Sequence, residues 1–322
     1  MLAAAVVISI AQAMGWRAIP TWNDLYAALH LQAAQPVSAQ QNGAAAQVTF
    51  LDVGQGDAVL LETDGQYCLI DAGTPESEDA LLSQLDAAGV QELALLVMTH
   101  QHGDHIGGMS AVLEKYPVKQ VLLPDFTLTK EDGGAMLAHV LSVILREKIP
   151  AATAAPGQVY PLGSGSLTVL SAGVSTEEPN ANNDSVITMF SAHGLRYLSC
   201  GDAEQPELDA LAASGQDLRA DVYKATHHGS ADSNTEAFLR AVQPRFVAVS
   251  CGKDNDFGHP HREALAAFAA VGAKVYRTDE DGAVMVWAQA DGSLQARRAQ
   301  EPAGGGAAPQ SSANSAAADS AA

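Results

Sequence analysis

Thr99-His100-Gln101-His102-Gly103-Asp104-His105-Ile106-Gly107-Gly108 is the stretch that decides how this chain is read. It follows the apolar run 93–98 directly, so three histidines and an aspartate stand at the end of what reads as a buried strand. In an extended segment residues two apart point the same way, which lets His100 and His102 grip one cation. Gly103 lets the chain turn and frees Asp104 and His105 to face a second cation beside the first, while Gly107 and Gly108 let the following helix start close by.

Two more histidine strings lie downstream. Lys224-Ala225-Thr226-His227-His228-Gly229-Ser230 again ends a strand-like run. Adjacent side chains of extended chain point to opposite faces, so one of His227 and His228 is expected to be a direct ligand, not both. Gly258-His259-Pro260-His261 precedes a helical pattern, where His259 and His261 read either as part of the helix start or as phosphate contacts and proton donors. A cation pair needs anionic oxygen between its ions, and Asp202, in Cys200-Gly201-Asp202 at a strand end, is the candidate. Asp52 and Asp57 are expected to support the metal loop by hydrogen bonding. Asp71 is a supporter of the same kind or a turn residue, Ser230 caps the next turn or binds a phosphate oxygen, and Lys224 faces either way.

Around these motifs the chain alternates strand and helix patterns. Strand-like runs fall at 48–53, 58–62, 67–71, 93–99, 119–123, 166–171, 185–191, 196–200, 221–226, 245–250, 274–276 and 283–287. Helical spacing falls at 77–88, 135–148, 205–213, 235–242 and 262–271. The early strands follow one another through short turns such as Asp64-Gly65, and helices intervene later, so mixed sheets are expected. Residues 47–298 form the expected domain, after a lead-in at 1–31 and a linker at 32–46 and before a Gly/Ala/Ser tail at 299–322. The lead-in carries a short apolar stretch with no basic residue before it, compatible with a signal peptide, a membrane tether or an ordinary amphipathic segment. The expected location is extracytoplasmic, secreted or anchored at the N-terminus.

The 322 residues carry a formal charge of −20, from 17 Lys and Arg against 37 Asp and Glu, which excludes a protein that coats nucleic acid through phosphate neutralisation. Residues 18–114 contain no Lys or Arg, whereas Lys224, Arg240, Arg245, Lys253, Arg262, Lys274 and Arg277 gather near the later histidine strings. Three widely spaced cysteines, Cys68, Cys200 and Cys251, read as buried free thiols and not as a disulfide or thiolate-metal framework.

The string 99–108 resembles the HxHxDH signature of the metallo-β-lactamase superfamily. With Leu51-Asp52-Val53-Gly54-Gln55-Gly56-Asp57-Ala58, Asn182-Asn183-Asp184-Ser185, Gly201-Asp202, 226–230 and 258–261, the set is similar to the C-terminal hydrolase domain of the ComEC family of DNA-uptake proteins. The resemblance covers about residues 47–290. It implies an α/β fold, a four-layer αββα sandwich of two mixed sheets with outer helices and a site for two divalent metal ions, zinc or manganese, at one rim. By position it implies His100 and His102 on one metal, Asp104 and His105 on the other, Asp202 between them, and His228 ahead of His227 as the last histidine ligand. The superfamily's usual third histidine for the first metal has no counterpart; His139 and His193 are the histidines in that interval, and Asn182 and Asn183 occupy the corresponding stage.

The function expected is metal-dependent phosphodiester hydrolysis by a metal-activated hydroxide, with Asp104, Asp202, His227, His259 and His261 as the catalytic set. The expected partner is a phosphodiester, single-stranded DNA among the candidates, with no stable duplex binding. Two alternatives stand beside it: an exported phosphodiesterase acting on a cell-wall or small-molecule diester, and a non-catalytic, metal-stabilised binding domain.

Overall fold

The computed structural model describes residues 44–127, 134–175 and 180–299. The expected lead-in, most of the expected linker and all of the expected tail but Ala299 lie outside those residues. The last three linker residues, Ala44 to Ala46, instead open the first strand.

Strands β1 (Ala44–Phe50), β2 (Val59–Thr63) and β3 (Gln66–Ile70) form an antiparallel meander. Asp64 and Gly65, with φ of 52° and 71°, make the two-residue turn between β2 and β3, a backbone that matches the right-handed twist of the strands. β4 (Leu95–Val97), β5 (Val121–Leu123) and β6 (Ala151–Thr153) extend this sheet in parallel. A second sheet follows: β7 (Val159–Leu162), β8 (Gly165–Ala172), β9 (Val186–Ala192) and β10 (Leu195–Ser199) run antiparallel. Its strands β11 (Val222–Lys224), β12 (Phe246–Val249) and β13 (Lys274–Arg277) join β10 in parallel. Finally β14 (Val284–Gln289) and β15 (Leu294–Arg298) return to the first sheet beside β1. The orders are β15-β14-β1-β2-β3-β4-β5-β6 and β13-β12-β11-β10-β9-β8-β7, both mixed as expected.

Alternating side chains glue the sheets face to face. Phe50, Ile70, Val97 and Leu122 meet Phe190, Tyr197, Val222 and Ala248 in one buried cluster, where Phe50 and Tyr197 pack edge to face with centroids 5.6 Å apart. On β14, Val284, Val286 and Ala288 enter this cluster while Met285 and Trp287 turn to the other face, the period of two that a strand imposes.

Helices close both outer faces. α1 (Glu78–Ala87), α2 (Gly103–Ile106), α3 (Met109–Lys115) and α4 (Gly134–Glu147) cover the first sheet through Leu81, Leu85, Ile106, Met109, Val140 and Ile144. α5 (Gln205–Ala213), α6 (Glu236–Val242) and α7 (Arg262–Ala270) cover the second through Leu208, Leu211, Leu239 and Phe268, and α8 (Thr278–Asp281) is a single turn before β14. Thr235 caps α6 by accepting from Phe238 N, the role expected of Ser230, whose backbone N–H instead closes the preceding turn onto His227 O. The four layers are those of an αββα sandwich. All three cysteines are buried and free. Among the described residues no helix is long and apolar enough to cross a membrane.

Candidate metal centre

The parallel half of each sheet places its strand ends at one rim. β3 delivers Asp71, β4 delivers 99–105, β10 delivers Asp202, β11 delivers His227 and His228, and β12 delivers the loop 250–261. The loop after β1 closes in beside them: Asp57 N donates to Asp104 O, and a Cβ at Gly56 would collide with that same carbonyl. Crowding of backbones, not turn chemistry alone, is why a glycine stands there.

Asp104, His105, Asp202 and His228 form one group whose ligating atoms all lie within 4.8 Å of one another. Each histidine is held at its far nitrogen. His105 Nδ1 is 2.9 Å from Asp71 Oδ2, and His228 Nδ1 is 2.9 Å from Ser250 O. A neutral imidazole donates once, so these bonds leave both Nε2 lone pairs facing inward. There His105 Nε2 stands 3.2 Å from Asp202 Oδ2, and His228 Nε2 stands 3.1 Å from Asp104 Oδ2 and 3.3 Å from Asp202 Oδ2. His105 Nε2 is fully buried with no directed hydrogen bond. Lone pairs of nitrogen and carboxylate oxygen repel at such distances unless a positive charge lies between them. The donor set of two imidazoles and two carboxylates therefore fits a divalent cation.

Protonation tells the same story. Burial pushes His105 down, but Asp202, Asp104 and Asp71 outweigh it and hold the ring well above the usual histidine range. Burial likewise opposes the charge on His228, and Asp202 and Asp57 override it. Asp104 and Asp202 are buried against their charge, yet the neighbouring imidazoles keep both carboxyls low. Protons thus take the place of a cation at this group.

Beneath it lies a buried ion pair. Lys224 Nζ pairs with Asp57 and sits 3.5 Å from Asp202 Oδ1, so Lys224 faces the centre and Asp57 supports it, also lying 3.5 Å from His228 Nδ1. Asp71 does more than turn the chain: besides His105 it accepts from Thr99 N at 2.8 Å and from the Thr99 hydroxyl at 2.6 Å. Asp52 does not join them. Its carboxylate accepts from Gly54 N, and its backbone is clamped by Gln84 of α1, so it shapes its own loop.

His100 and His102 come together as a separate pair. The Thr99 hydroxyl donates to Asp71, so His100 Nδ1 donates to Thr99 Oγ1 and its Nε2 lone pair meets His102 Nδ1 at 3.1 Å. Burial and the neighbouring His105 hold His100 well below the usual histidine range. Among the described residues, neither ring belongs to a group of three or more histidine, cysteine or carboxylate donors. His139 is exposed on α4 and His193 bonds Ser164, so neither completes this pair. Asn182 and Asn183 do something sequence reasoning missed. With Asn180 they donate side-chain amides to the Glu204 carboxylate at 2.8–3.2 Å, two residues beyond Asp202. The run Asn180-Ala181-Asn182-Asn183-Asp184 was the one sequence hint of such a carboxylate clasp.

The later histidines divide. His227, less buried than His228, holds Nε2 3.9 Å from Asp202 Oδ2. His259 packs over His228 with centroids 6.1 Å apart, and its Nδ1 is buried without a partner. Burial and the rings of His228, His227 and His261 push His259 down to about 4, so it is neutral at pH 7. His261 uses both ring nitrogens on backbone, accepting from Ala231 N and donating to Phe257 O, and thereby pins two loops together. Of the expected cationic edge, Arg240, Arg245, Arg262 and Arg277 are paired with carboxylates and Lys224 is buried, so little free positive charge faces the rim.

The model of the metallo-beta-lactamase superfamily matches residues 51–253. ComE operon protein 3 of Bacillus subtilis (strain 168) is 28% identical over 257 residues, 74% of this chain and 32% of that protein. Competence protein ComA of Neisseria gonorrhoeae is 30% identical over 254 residues, 78% of this chain and 33% of that protein. The chain therefore spans about a third of the length of these curated relatives. Among solved structures, the metallo-beta-lactamase fold protein YhfI from Bacillus subtilis superposes with a TM-score of 0.50 at 12% identity, covering 78% of this chain and 99% of that one. Sheet order, helix placement and the matched segment agree, and this chain belongs to the metallo-β-lactamase superfamily.

Proposed function

We propose that this chain is a metal-dependent phosphodiester hydrolase acting on single-stranded DNA. The observation that carries the reading is the convergence of His105 Nε2 and His228 Nε2 on the carboxylates of Asp104 and Asp202, each ring locked from behind. Those four residues would hold a divalent cation, which would supply Lewis acidity to water and phosphoryl oxygen. His100 and His102 would hold a second ion together with solvent or substrate oxygen.

The chain's own groups do the rest. Asp71 and the Ser250 carbonyl fix the tautomers of His105 and His228. Lys224 offsets the charge of Asp57 and Asp202 below the centre. His227 and neutral His259 line its open side, where a ring N–H can bind a phosphoryl oxygen and follow the departing alkoxide. Two relatives are named a competence protein and a recombination protein, which favours DNA over other diesters. The scarcity of free cations at the rim favours a short single strand over a duplex.

The test measures bound metal in the purified chain, then cleavage of a bis-aryl phosphodiester and of single-stranded DNA with manganese or zinc. Cleavage of both, abolished in Asp202→Ala, is expected. Cleavage of the small ester alone would redirect the reading to a cell-wall or small-molecule diester, and tightly bound metal with neither substrate cut would overturn it in favour of a binding domain.

A further inference from the structure

Phe257 is 64% exposed, as large apolar side chains seldom are without a use. Leu145 and Val159 share that exposure but belong to α4 and the edge strand β7, whereas Phe257 lies in the loop that carries His259. Its ring stacks on His259 at a centroid distance of 5.7 Å and an interplanar angle of 20°. His259 in turn lies over His228 at 6.1 Å and 30°. Three nearly parallel rings thus lead from solvent to a donor of the candidate metal centre.

The ladder is built rigidly. Asn255 holds the loop at both ends, accepting from His259 N at 3.0 Å while its amide donates to Gly252 O at 3.0 Å and His259 O at 2.7 Å. His261 Nε2 donates to the carbonyl of Phe257 itself, and Gly252 N is tied to the Gln55 side chain on the opposite loop. An aromatic face held in place before binding loses little freedom when a ligand stacks on it. Beside the ladder opens a cleft of about 410 Å³ lined by Lys253, His259, Pro260 and Arg277, with Asp279 and Glu280. Arg277 is already paired with both of those acids, and Lys253 has no ion pair among the described residues. Charges of both signs line it, Asp254, Asp279 and Glu280 against Lys253 and Arg277, so it offers no run of positive charge to a phosphate backbone.

From this arrangement we infer that Phe257 and His259 form a stacking platform for a nucleobase next to the scissile phosphodiester of a single strand. The inference rests on the phosphodiester reading above and names the part of the substrate that the metal donors cannot distinguish. Every base has a π-face, so the platform selects bases over their absence, not one base over another. Duplex ends are disfavoured because their bases are already stacked.

The test compares a thymidine decamer with a deoxyribose-phosphate decamer lacking bases, using the full chain. Cleavage is followed with manganese, and binding is followed by fluorescence anisotropy in chelator. The wild type is expected to favour the thymidine strand by about fivefold or more in Kd and KM, the low end of one base–aromatic stack. Phe257→Ala is expected to erase that preference, and Phe257→Trp to keep it. Equal binding of both strands by the wild type, or an undiminished preference in Phe257→Ala, would overturn the platform. Base preference in binding with no cleavage of either strand would overturn the hydrolase reading and leave the platform standing. Cleavage with no base preference would do the reverse.

Discussion

His105 and His102 leave the same ten-residue loop, yet they end in different company. His105 is fully buried, fixed at Nδ1 by Asp71 and set against Asp202 and Asp104 at Nε2. His102 is half-buried and meets the ring of His100, a neutral partner, with no carboxylate completing a three-donor group among the described residues. One half of the rim is a cage of opposed charges; the other is a pair of imidazoles outside any three-donor group among the described residues. The difference teaches that the two halves should bind cations unequally. The inner half should hold its ion tightly, and the outer half should exchange its ion and depend on substrate to complete it.

The strongest way to break this asymmetry is Asp202→Ala. It removes the carboxylate that faces both inner histidines and leaves Lys224 with one carboxylate partner, Asp57. Hydrolysis should fall by more than the roughly 10- to 100-fold that loss of an outer supporting group costs. Metal analysis should find the inner ion gone. His102→Ala is the matching control, expected to retain one equivalent of tightly held metal. Equal loss of metal in the two variants would end the comparison.

Lys224→Met attacks the foundation of the inner half. Removing one partner of a buried pair leaves Asp57 and Asp202 without their lysine, at a cost of about 3–5 kcal/mol. Urea unfolding of the metal-free chain should register that loss as a lower midpoint at unchanged slope. Asp71→Asn is gentler, because with its oxygen at the Oδ2 position the amide still accepts from the Thr99 hydroxyl and gives up only the bond from Thr99 N. It replaces a carboxylate acceptor of His105 Nδ1–H with a weaker one, and metal affinity should drop about 10- to 100-fold. A competition titration with a chelating dye would read it.

Much of this was legible because the donors sit in short local strings. A strand followed by HxHxDH, or by THHG, announces itself without tertiary knowledge. The support did not. Asp52 and Asp57 belong to one loop and looked equivalent, but crowding of Gly56 against Asp104 turns Asp57 inward while Asp52 folds back on Gly54. Asp71 lies 34 residues from His105, and the Ser250 carbonyl carries no side-chain signal at all. His261 looked catalytic from its string and is a clip between loops, a role visible once Ala231 and Phe257 are in place. The fold was legible on the same terms. Interior strands read as apolar runs, whereas β6, β7 and β15 escaped notice. All three are sheet edges, where one side lacks a neighbour and the apolar pattern that burial enforces is lost, as in Val159–Leu162 with its Pro161.

Acidity offers a subtler probe of the two halves. In the metal-free chain His105 and His228 are raised above 6.5, so their contribution to stability is full below that pH and is lost as pH climbs through the raised values. A cation must displace those protons, so inner-site affinity should grow by up to about tenfold per pH unit for each proton released. His100 is already neutral, so its ion displaces no proton from it near neutral pH. Calorimetry in buffers of different ionisation enthalpy should therefore show proton release with the first equivalent of metal between pH 6 and 8, and less with the second. The depressed carboxyls of Asp104 and Asp202 matter only as pH falls below 3.8, outside this window.

Glu204→Gln should have the smallest effect and the sharpest meaning. Three asparagine amides donate to the Glu204 carboxylate, which Asn180, Asn182 and Asn183 hold below the usual range against its partial burial. A glutamine of the same size turns one acceptor oxygen into a donor, and donor then faces donor. The 3-10 turn Ala181–Asp184 should loosen while Asp202, whose backbone N–H is separately held by Ser185 Oγ at 3.1 Å, stays in place. If the asparagine string serves the outer half through substrate, KM should rise a few-fold with metal content and kcat unchanged, the size of one lost charge-assisted hydrogen bond. Loss of metal instead would put Glu204 among the groups that hold the inner ion, and the division between the halves would have to be redrawn around it.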